Sequence, residues 1–260
     1  MELIVYVIVF AFFFELMDSS AGMGFGTGLA PLLLLIGYEP LQVVPILLIS
    51  ESITGFTAGI FHHEFENVDF SWSKKISPEL RITLMITLFG CFAIFFSVIL
   101  AYFALKLPTD IVKTYVAILV LAMGLITILR FQKKSSIYRP KLLIGFAALA
   151  GFNKGIGGGG YGPIVMLGQV LSGIYEKSAA AIVSLAEGMV SILGFASFLI
   201  ISNYGITIDY ALLPSIFTGG FIAAIISPYM VRVLPNNFWK ICIPIYALII
   251  GAFTLINVYL

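Results

Sequence analysis

Apolar segments recur along nearly the whole chain, separated by short polar or glycine-rich stretches. A first apolar run covers about 3–20, glycines interrupt it at 22–28, and a short apolar run follows at 29–36. Three longer runs then cover about 41–61, 79–104 and 109–129. A helix needs roughly 20 apolar residues to cross the hydrocarbon core of a bilayer. The longer runs therefore predict membrane-spanning helices.

The same order of segments returns after a basic polar stretch at 130–141. An apolar run at 142–152 is followed by glycines at 153–162 and a short run at 163–173. Three longer runs then cover about 177–201, 208–231 and 237–259. The chain therefore divides into a first repeat (1–130), a linker (131–141) and a second repeat (142–260).

Individual residues repeat with the segments. Glu51 and Glu187 occupy corresponding places, as do Pro31 and Pro163, each of which follows its glycine stretch. Four further pairs share a single offset of 127 positions: Pro108 and Pro235, Lys113 and Lys240, Gly124 and Gly251, Thr127 and Thr254. Such coincidences indicate an internal duplication, which many transporter folds contain.

Two arguments favour halves of opposite orientation. Residues 3–36 would form about 50 Å of helix, which is too long for one crossing of ~30 Å. If each glycine-broken segment turns back, each half keeps three further spans, and the halves are inverted. Eleven Lys and Arg residues then lie on the side of the linker and two on the other, against eight and five if each broken segment crosses once. The excess of cytoplasmic basic residues in membrane proteins favours the first arrangement.

The sequence thus predicts an all-α polytopic membrane protein with two inverted repeats, each a glycine-broken helical hairpin plus three transmembrane helices. The linker is expected to be cytoplasmic, and both termini and residues 203–208 external. Only 10% of the 260 residues are charged, against roughly 25% in soluble domains. The mean hydropathy is +1.09. These values place the protein in the cell membrane, and the net charge of +1 gives no indication of a nucleic-acid partner.

Residues 153–163, NKGIGGGGYGP, place a lysine and six glycines inside an apolar segment. Gly155, Gly157 and Gly160 match the spacing of a dinucleotide-binding loop, but that loop follows a strand of a soluble α/β unit, and here the flanks are membrane segments. No P-loop is present either, because no Lys-Ser or Lys-Thr ends the run. Close helix packing would explain the glycines alone. It explains neither Lys154 nor the matching break at 22–28.

Two broken helices in corresponding positions are a pointer to a transporter site near the midplane. Short helices are expected to begin after the breaks, at Pro31 and Pro163, because proline suits the first turn of a helix. Two helix N-termini and one ammonium group would bind an anion. The predicted substrate-binding residues are Lys154, Asn153, Gly157, Gly158, Gly159, Gly160, Gly24, Gly26, Thr27 and Gly28.

Four acids also lie at membrane depth: Glu15, Asp18, Glu51 and Glu187. A charge at that depth costs about 2.5–3.5 kcal/mol on insertion scales, so each acid is expected to face protein, water or a partner. They are predicted to be either proton-coupling acids or structural acceptors that hold the unwound glycine backbone. The sequence predicts no cofactor and no metal site, because the adjacent His62 and His63 would point apart on a helix.

The segments GMGFGTGLAPLLLLIG (22–37) and GIGGGGYGPIVMLG (155–168) resemble the duplicated motif of the sulfite exporter TauE/SafE family. This resemblance implies membrane transport of sulfite, sulfonates or related organic acids. We therefore expect a secondary transporter of small anions that works by alternating access. Whether protons drive it is left open. An anion channel with the same duplicated pore is the alternative. The sequence shows no nucleophile–base pair of the kind that would indicate an enzyme. The expected partners are the anion, the lipid bilayer and protons, and the oligomeric state, monomer or homodimer, stays open.

Overall fold

The fold is described from a computed structural model that covers residues 3–72, 75–130, 138–174 and 176–233, with isolated positions between 245 and 256. These residues form helices and no strand. The helices are α1 (Val5–Ala21), α2 (Ala30–Leu35), α3 (Pro40–Glu64), α4 (Pro78–Val98), α5 (Thr109–Arg130), α6 (Pro140–Gly157), α7 (Tyr161–Leu171), α8 (Glu176–Ser202) and α9 (Leu213–Val233). Short π-helical turns, Phe25–Leu29 and Ile99–Ala104, precede α2 and continue α4.

The helical membrane class predicted from the sequence is confirmed. Within the described residues, four helices are long and apolar enough to cross a bilayer: Pro40–Glu64, Pro78–Ala104, Ser178–Ser202 and Leu213–Val233. The predicted last span, about 237–259, and most of the linker lie outside the described residues.

The first glycine-broken segment turns back on itself. Helix α1 ends at Ala21, and Gly22 follows in the left-handed conformation (φ 70°), which glycine adopts without strain. The chain then returns through the π-helical turn and α2. The hydroxyl of Tyr38, just after α2, lies 3.1 Å from that of Tyr6, at the start of α1. We call residues 5–35 the first hairpin.

The second broken segment has the same form. Gly158 and Gly160 have φ angles of 70° and 79°, and they carry the chain from α6 into α7. Ser172, after α7, donates its hydroxyl hydrogen to the carbonyl oxygen of Arg139, just before α6, at 3.3 Å. Residues 140–171, the second hairpin, therefore also return to the side on which they began.

Helical backbone begins earlier in the first hairpin than the sequence predicts, at Phe25 and not at Pro31. Proline has no N–H group, so Pro31 cannot bond to the carbonyl four residues earlier. A π-helical turn widens the hydrogen-bonded ring and occurs often at functional sites. In the second hairpin, α7 likewise begins before the predicted Pro163, at Tyr161, with the proline in its first turn.

Helices of one half pack against helices of the other half in corresponding pairs. Helix α1 packs on α9, and its expected counterpart α6 packs on α4. Likewise α3 packs on α9 and α8 on α4, while α3 and α8 pack on each other. Two repeats related by a two-fold axis would give these pairs. The duplication itself stays a prediction.

The two hairpin tips, residues 22–28 and 157–160, meet at glycines, which have no side chain. A Cβ atom on Gly26 would lie 2.5 Å from the carbonyl oxygen of Gly158, and one on Gly159 would overlap the carbonyl of Gly26. Nearby, α3 and α8 cross at Gly55, whose Cβ would lie 2.6 Å from the carbonyl oxygen of Ser184. These glycines bring four backbone segments together around one buried region.

Candidate functional site

A buried lysine with two glutamate partners stands beside the crossing of the tips. Lys154 lies in the last turn of α6, and its Nζ is 2.5 Å from Glu51 Oε2 of α3 and 2.6 Å from Glu187 Oε1 of α8. The lysine is 0% exposed, and the glutamates are 2% and 3% exposed. The ring of Tyr161 lies 5.6 Å from the ammonium nitrogen and adds a cation–π contact. One ammonium group thus joins three helices.

Two further acids face the same region from α1. Glu15 and Asp18 are 2% and 6% exposed. They lie on one side of the helix because residues three apart are neighbours on a helical surface. A small cavity lies between α1, α3 and α8 and is lined by Glu15, Asp18, Ser19, Glu51, Thr54, Gly55, Ser184 and Glu187. It is of the size of about one water molecule.

Several acid oxygens in this group receive no hydrogen bond from the described part of the protein. They are Glu15 Oε2, Glu51 Oε1 and Glu187 Oε2. The other oxygen of Glu15 accepts a hydrogen bond of 2.6 Å from the Ser19 hydroxyl. Each glutamate therefore keeps one free oxygen, and all three side chains line the cavity. Buried polar atoms normally have a partner, so these oxygens have capacity to bind a proton or a small ligand.

The predicted acids and the lysine are thus brought together, whereas the predicted glycines lie next to them in the tips. The backbone at Gly157, Gly158 and Gly160 packs against Val116, Val44 and Leu119 respectively, and Gly159 packs against Gly26. None of these glycines is among the eight residues that line the cavity.

The other predicted binding residues are also buried in the tips. Asn153 accepts a hydrogen bond from the Tyr115 hydroxyl through its Oδ1. Thr27 is 4% exposed, and the N–H of Gly28 donates to the carbonyl of Gly24 at 2.6 Å. Their role as substrate-binding residues stays a prediction.

Two contacts at the ends of the broken helices escape sequence reasoning. His62 Nε2 lies 2.8 Å from the carbonyl oxygen of Ser19, at the end of α1. The Tyr102 hydroxyl donates to the carbonyl oxygen of Ile156, at the end of α6, at 2.5 Å. Both carbonyls belong to the last turn of a helix, where backbone acceptors have no intrahelical donor. The partners lie 43 and 54 positions apart in the sequence, and no local pattern connects them.

Polar contacts also join the helix ends outside the membrane-spanning segments. At the start of α3, Gln42 Nε2 donates to Asp209 Oδ2 at 2.9 Å. The N–H of Ala211 and then this amide hold the pKa of Asp209 below its ordinary value. At the other end of α3, Arg232 Nη1 lies 3.3 Å from Glu66 Oε2.

His62 and His63 point apart, as predicted: His62 is buried and His63 is exposed. Within the described ranges, no group of three or more His, Cys, Asp and Glu side chains is arranged to hold a metal ion.

Comparison with known proteins identifies the family of this chain. The sequence profile of the family "Sulfite exporter TauE/SafE" matches residues 7–254. A curated relative, "Probable membrane transporter protein YtnM" of Bacillus subtilis (strain 168), is 28% identical to this chain over an alignment that covers 96% of the chain and 83% of the relative. The resemblance drawn from the two glycine motifs is therefore confirmed. The protein is a membrane transporter and belongs to the sulfite exporter TauE/SafE family.

Proposed function

We propose that the protein is a secondary transporter that moves a small sulfur-containing anion, such as sulfite or a sulfonate, together with protons. Membership of the family supports membrane transport and the class of substrate. The observation that carries the proposal is the sharing of Lys154 between Glu51 and Glu187, inside a buried group of four acids.

The two glutamates already occupy the position that an anionic substrate would need. The Lys154 ammonium donates to one oxygen of each glutamate. A substrate anion that binds the ammonium must displace at least one of these carboxylates. The displaced carboxylate would remain buried, where the charged form is disfavoured without a partner. It therefore takes up a proton, and entry of the anion is linked to entry of a proton.

The charge of the site leads to the same conclusion. With Glu15, Asp18, Glu51 and Glu187 all ionised, one ammonium would leave three excess negative charges in a buried volume. Like charges at such a distance disfavour each other's ionisation. The site binds an anion only if protons first reduce this charge. Proton binding thus precedes or accompanies anion binding.

The hairpins supply the moving parts for alternating access. Their tips meet at Gly26 and Gly159, beside the lysine and its two glutamates. In transporters with inverted repeats, one repeat rocks against the other around a fixed central site. The packing of helices from the two halves in corresponding pairs supports this arrangement for the present chain.

Transport assays in proteoliposomes test the proposal. Wild-type protein should take up radiolabelled sulfite faster when unlabelled sulfite is inside, and an imposed inward proton gradient should drive accumulation. Glu51→Gln or Glu187→Gln should keep exchange but lose proton-driven accumulation, because glutamine does not carry a proton. Glu64→Gln, at an exposed position on the same helix as Glu51, is the matched control.

Two outcomes contradict the proposal in different ways. Uptake without stimulation by internal sulfite would indicate the channel alternative. Accumulation under a proton gradient by both glutamine variants would show that neither acid carries the coupling proton. A screen of sulfite, thiosulfate, sulfonates and small carboxylates for thermal stabilisation identifies the substrate, since a ligand at 100 times its Kd adds about 2.7 kcal/mol of stability.

A further inference from the structure

The tip of the first hairpin is fixed by a histidine that lies outside the lysine–glutamate group. His62, near the end of α3, is 0% exposed. Its Nε2 contacts the carbonyl oxygen of Ser19 at 2.8 Å. Ser19 in turn lines the cavity and donates its hydroxyl hydrogen to Glu15 at 2.6 Å. The imidazole thus holds the part of α1 that forms one wall of the cavity.

The hydrogen-bond partners of His62 are compatible with only one protonation state of its ring. The carbonyl oxygen of Pro228 can only accept, so the Asn67 Nδ2 group donates to it, at 2.9 Å. The same Nδ2 group lies 3.1 Å from His62 Nδ1, so Nδ1 is an acceptor. The Ser19 carbonyl also only accepts, so Nε2 carries the hydrogen. The ring is therefore neutral, and a second proton on Nδ1 would face the donor of Asn67.

The corresponding end of the second hairpin is held by a group that does not titrate near neutral pH. The Tyr102 hydroxyl donates to the carbonyl oxygen of Ile156, and phenols ordinarily titrate near pH 10. Imidazole ordinarily titrates near pH 6.5. The two hairpins are thus held by equivalent contacts, and only the one at His62 is made by a group that takes up a proton in mild acid once it is released into water.

We infer that His62 is a positioning residue that holds the end of α1, at the tip of the first hairpin, as one wall of the acid-lined cavity, and that protonation of its imidazole releases the tip. The bonded arrangement has no acceptor for the second ring proton, whereas a released imidazole meets water. Acid therefore favours the released state, and neutral pH favours the held one. This inference rests on the proposed alternating-access transport, in which a moving tip controls entry to the site.

The effect of pH on other titratable or charged groups near His62 must be separated from the effect of protonating the imidazole. They are Glu15 and Asp18 on α1, His63 and Glu64 on its own helix, Glu66 and Asp69 in the following loop, Glu187 on α8 and Arg232 on α9. The acids at the cavity also bind protons as pH falls. His62→Gln separates the two effects, because glutamine offers one donor and one acceptor on its amide but does not titrate.

Access to the cavity can be measured without any substrate. Ser184→Cys places a thiol on the cavity wall, in a background that carries Cys91→Ser and Cys242→Ser. The full-length protein in lipid nanodiscs is treated with a hydrophilic maleimide, and the labelling rate is followed between pH 8 and pH 5. Four proteins are compared: the parent, His62→Gln, His62→Leu and Tyr102→Phe.

Because maleimides react with the thiolate, whose fraction falls in acid, each labelling rate is divided by the rate of a cysteine at the exposed position 205 at the same pH. We expect this normalised rate of the parent to rise as pH falls, and His62→Gln to lose most of that dependence. His62→Leu should label roughly 2- to 10-fold faster than the parent at pH 8, the ratio that corresponds to loss of one hydrogen bond. Tyr102→Phe should keep the pH dependence of the parent.

Equal pH dependence in the parent and His62→Gln would overturn the inference, since the acids of the cavity would then account for it. Labelling of His62→Leu at the parent's rate at pH 8 would also overturn it. If the leucine variant does not fold, the comparison between the parent and His62→Gln still decides. Because the assay contains no sulfite, its result is independent of whether the proposed substrate and proton coupling are correct.

Discussion

Removal of the Lys154 ammonium tests how the buried charges are balanced. Lys154→Met keeps an unbranched side chain one atom shorter than lysine but leaves Glu51 and Glu187 without their shared cation, from which they lie 2.5 and 2.6 Å away. Removing one partner of a buried ion pair costs about 3–5 kcal/mol. In a protein of this size, 1 kcal/mol corresponds to roughly 2–4 °C in Tm. The variant should therefore melt roughly 6–20 °C below the wild type at pH 8.

The deficit should shrink in acid. Without the lysine, both glutamates are most easily accommodated in their neutral form, and the cost of protonating each of them falls by about 1.36 kcal/mol for each pH unit. Fluorescence-monitored melting in detergent between pH 8 and pH 5 measures this trend. Lys141→Met, at an exposed lysine near the start of the same helix, is the control and should change Tm little at any pH.

A triple variant separates charge from packing. Lys154→Met combined with Glu51→Gln and Glu187→Gln removes the unpaired charges together with the ammonium, and should recover most of the lost stability at pH 8. A single variant that melts within 2 °C of the wild type at pH 8, or a triple variant no more stable than the single one, would refute the argument. The stability of the site would then come from packing around Tyr161 and the hairpin tips.

Three further predictions concern the tips, the surface and the topology. Gly159→Ala should abolish folded expression or transport, because its Cβ would overlap the carbonyl of Gly26. Gly145→Ala, at a helical glycine with open space around it, should be tolerated. Size-exclusion profiles of the two variants show whether each one folds. The lowered pKa of Asp209 stabilises the fold above about pH 4, and this stabilisation is lost as pH falls through the folded-state pKa. Asp209→Asn should therefore lower the free energy of unfolding by less than about 1 kcal/mol at pH 7, seen as a slightly lower Tm, and should have no such effect at pH 3. A cysteine at position 205 and another at the C-terminus should react with an impermeant reagent in intact cells, and an unlabelled C-terminus would contradict the inverted arrangement.

Sequence reasoning succeeded where one physical constraint dominates. The bilayer demands long apolar helices, so the span predicted at 41–61 corresponds to Pro40–Glu64 and the one at 79–104 to Pro78–Ala104. The start of α9 was less well predicted: the apolar run begins near 208, but the helix begins at Leu213. Asp209 accepts a hydrogen bond from the N–H of Ala211, which forms a turn before Pro214. Hydropathy does not register such a turn.

The sequence indicated some of the residues around Lys154, but it did not indicate which of them pair with one another. A charge at membrane depth needs a partner, which directed attention to Lys154, Glu51 and Glu187, and the structure brings these three side chains together. The partner of each charge was left open, since distances between helices are absent from a single sequence. The role of these residues in transport stays a prediction. The contacts of His62 and Tyr102 were missed because each is made to a backbone carbonyl, which every residue has whatever its side chain.

The contact between the hairpin tips has a consequence for leakage. The tips meet through bare backbone at Gly26 and Gly159, and each hairpin returns to the side on which it began. In the inverted arrangement that the sequence predicts, withdrawal of one tip would open a path to one side only, since the other hairpin would still fill the remaining depth. A continuous passage would require both tips to withdraw at once and lose their contact. In the proposed alternating-access cycle, this contact would therefore limit leakage of an ion gradient across the membrane.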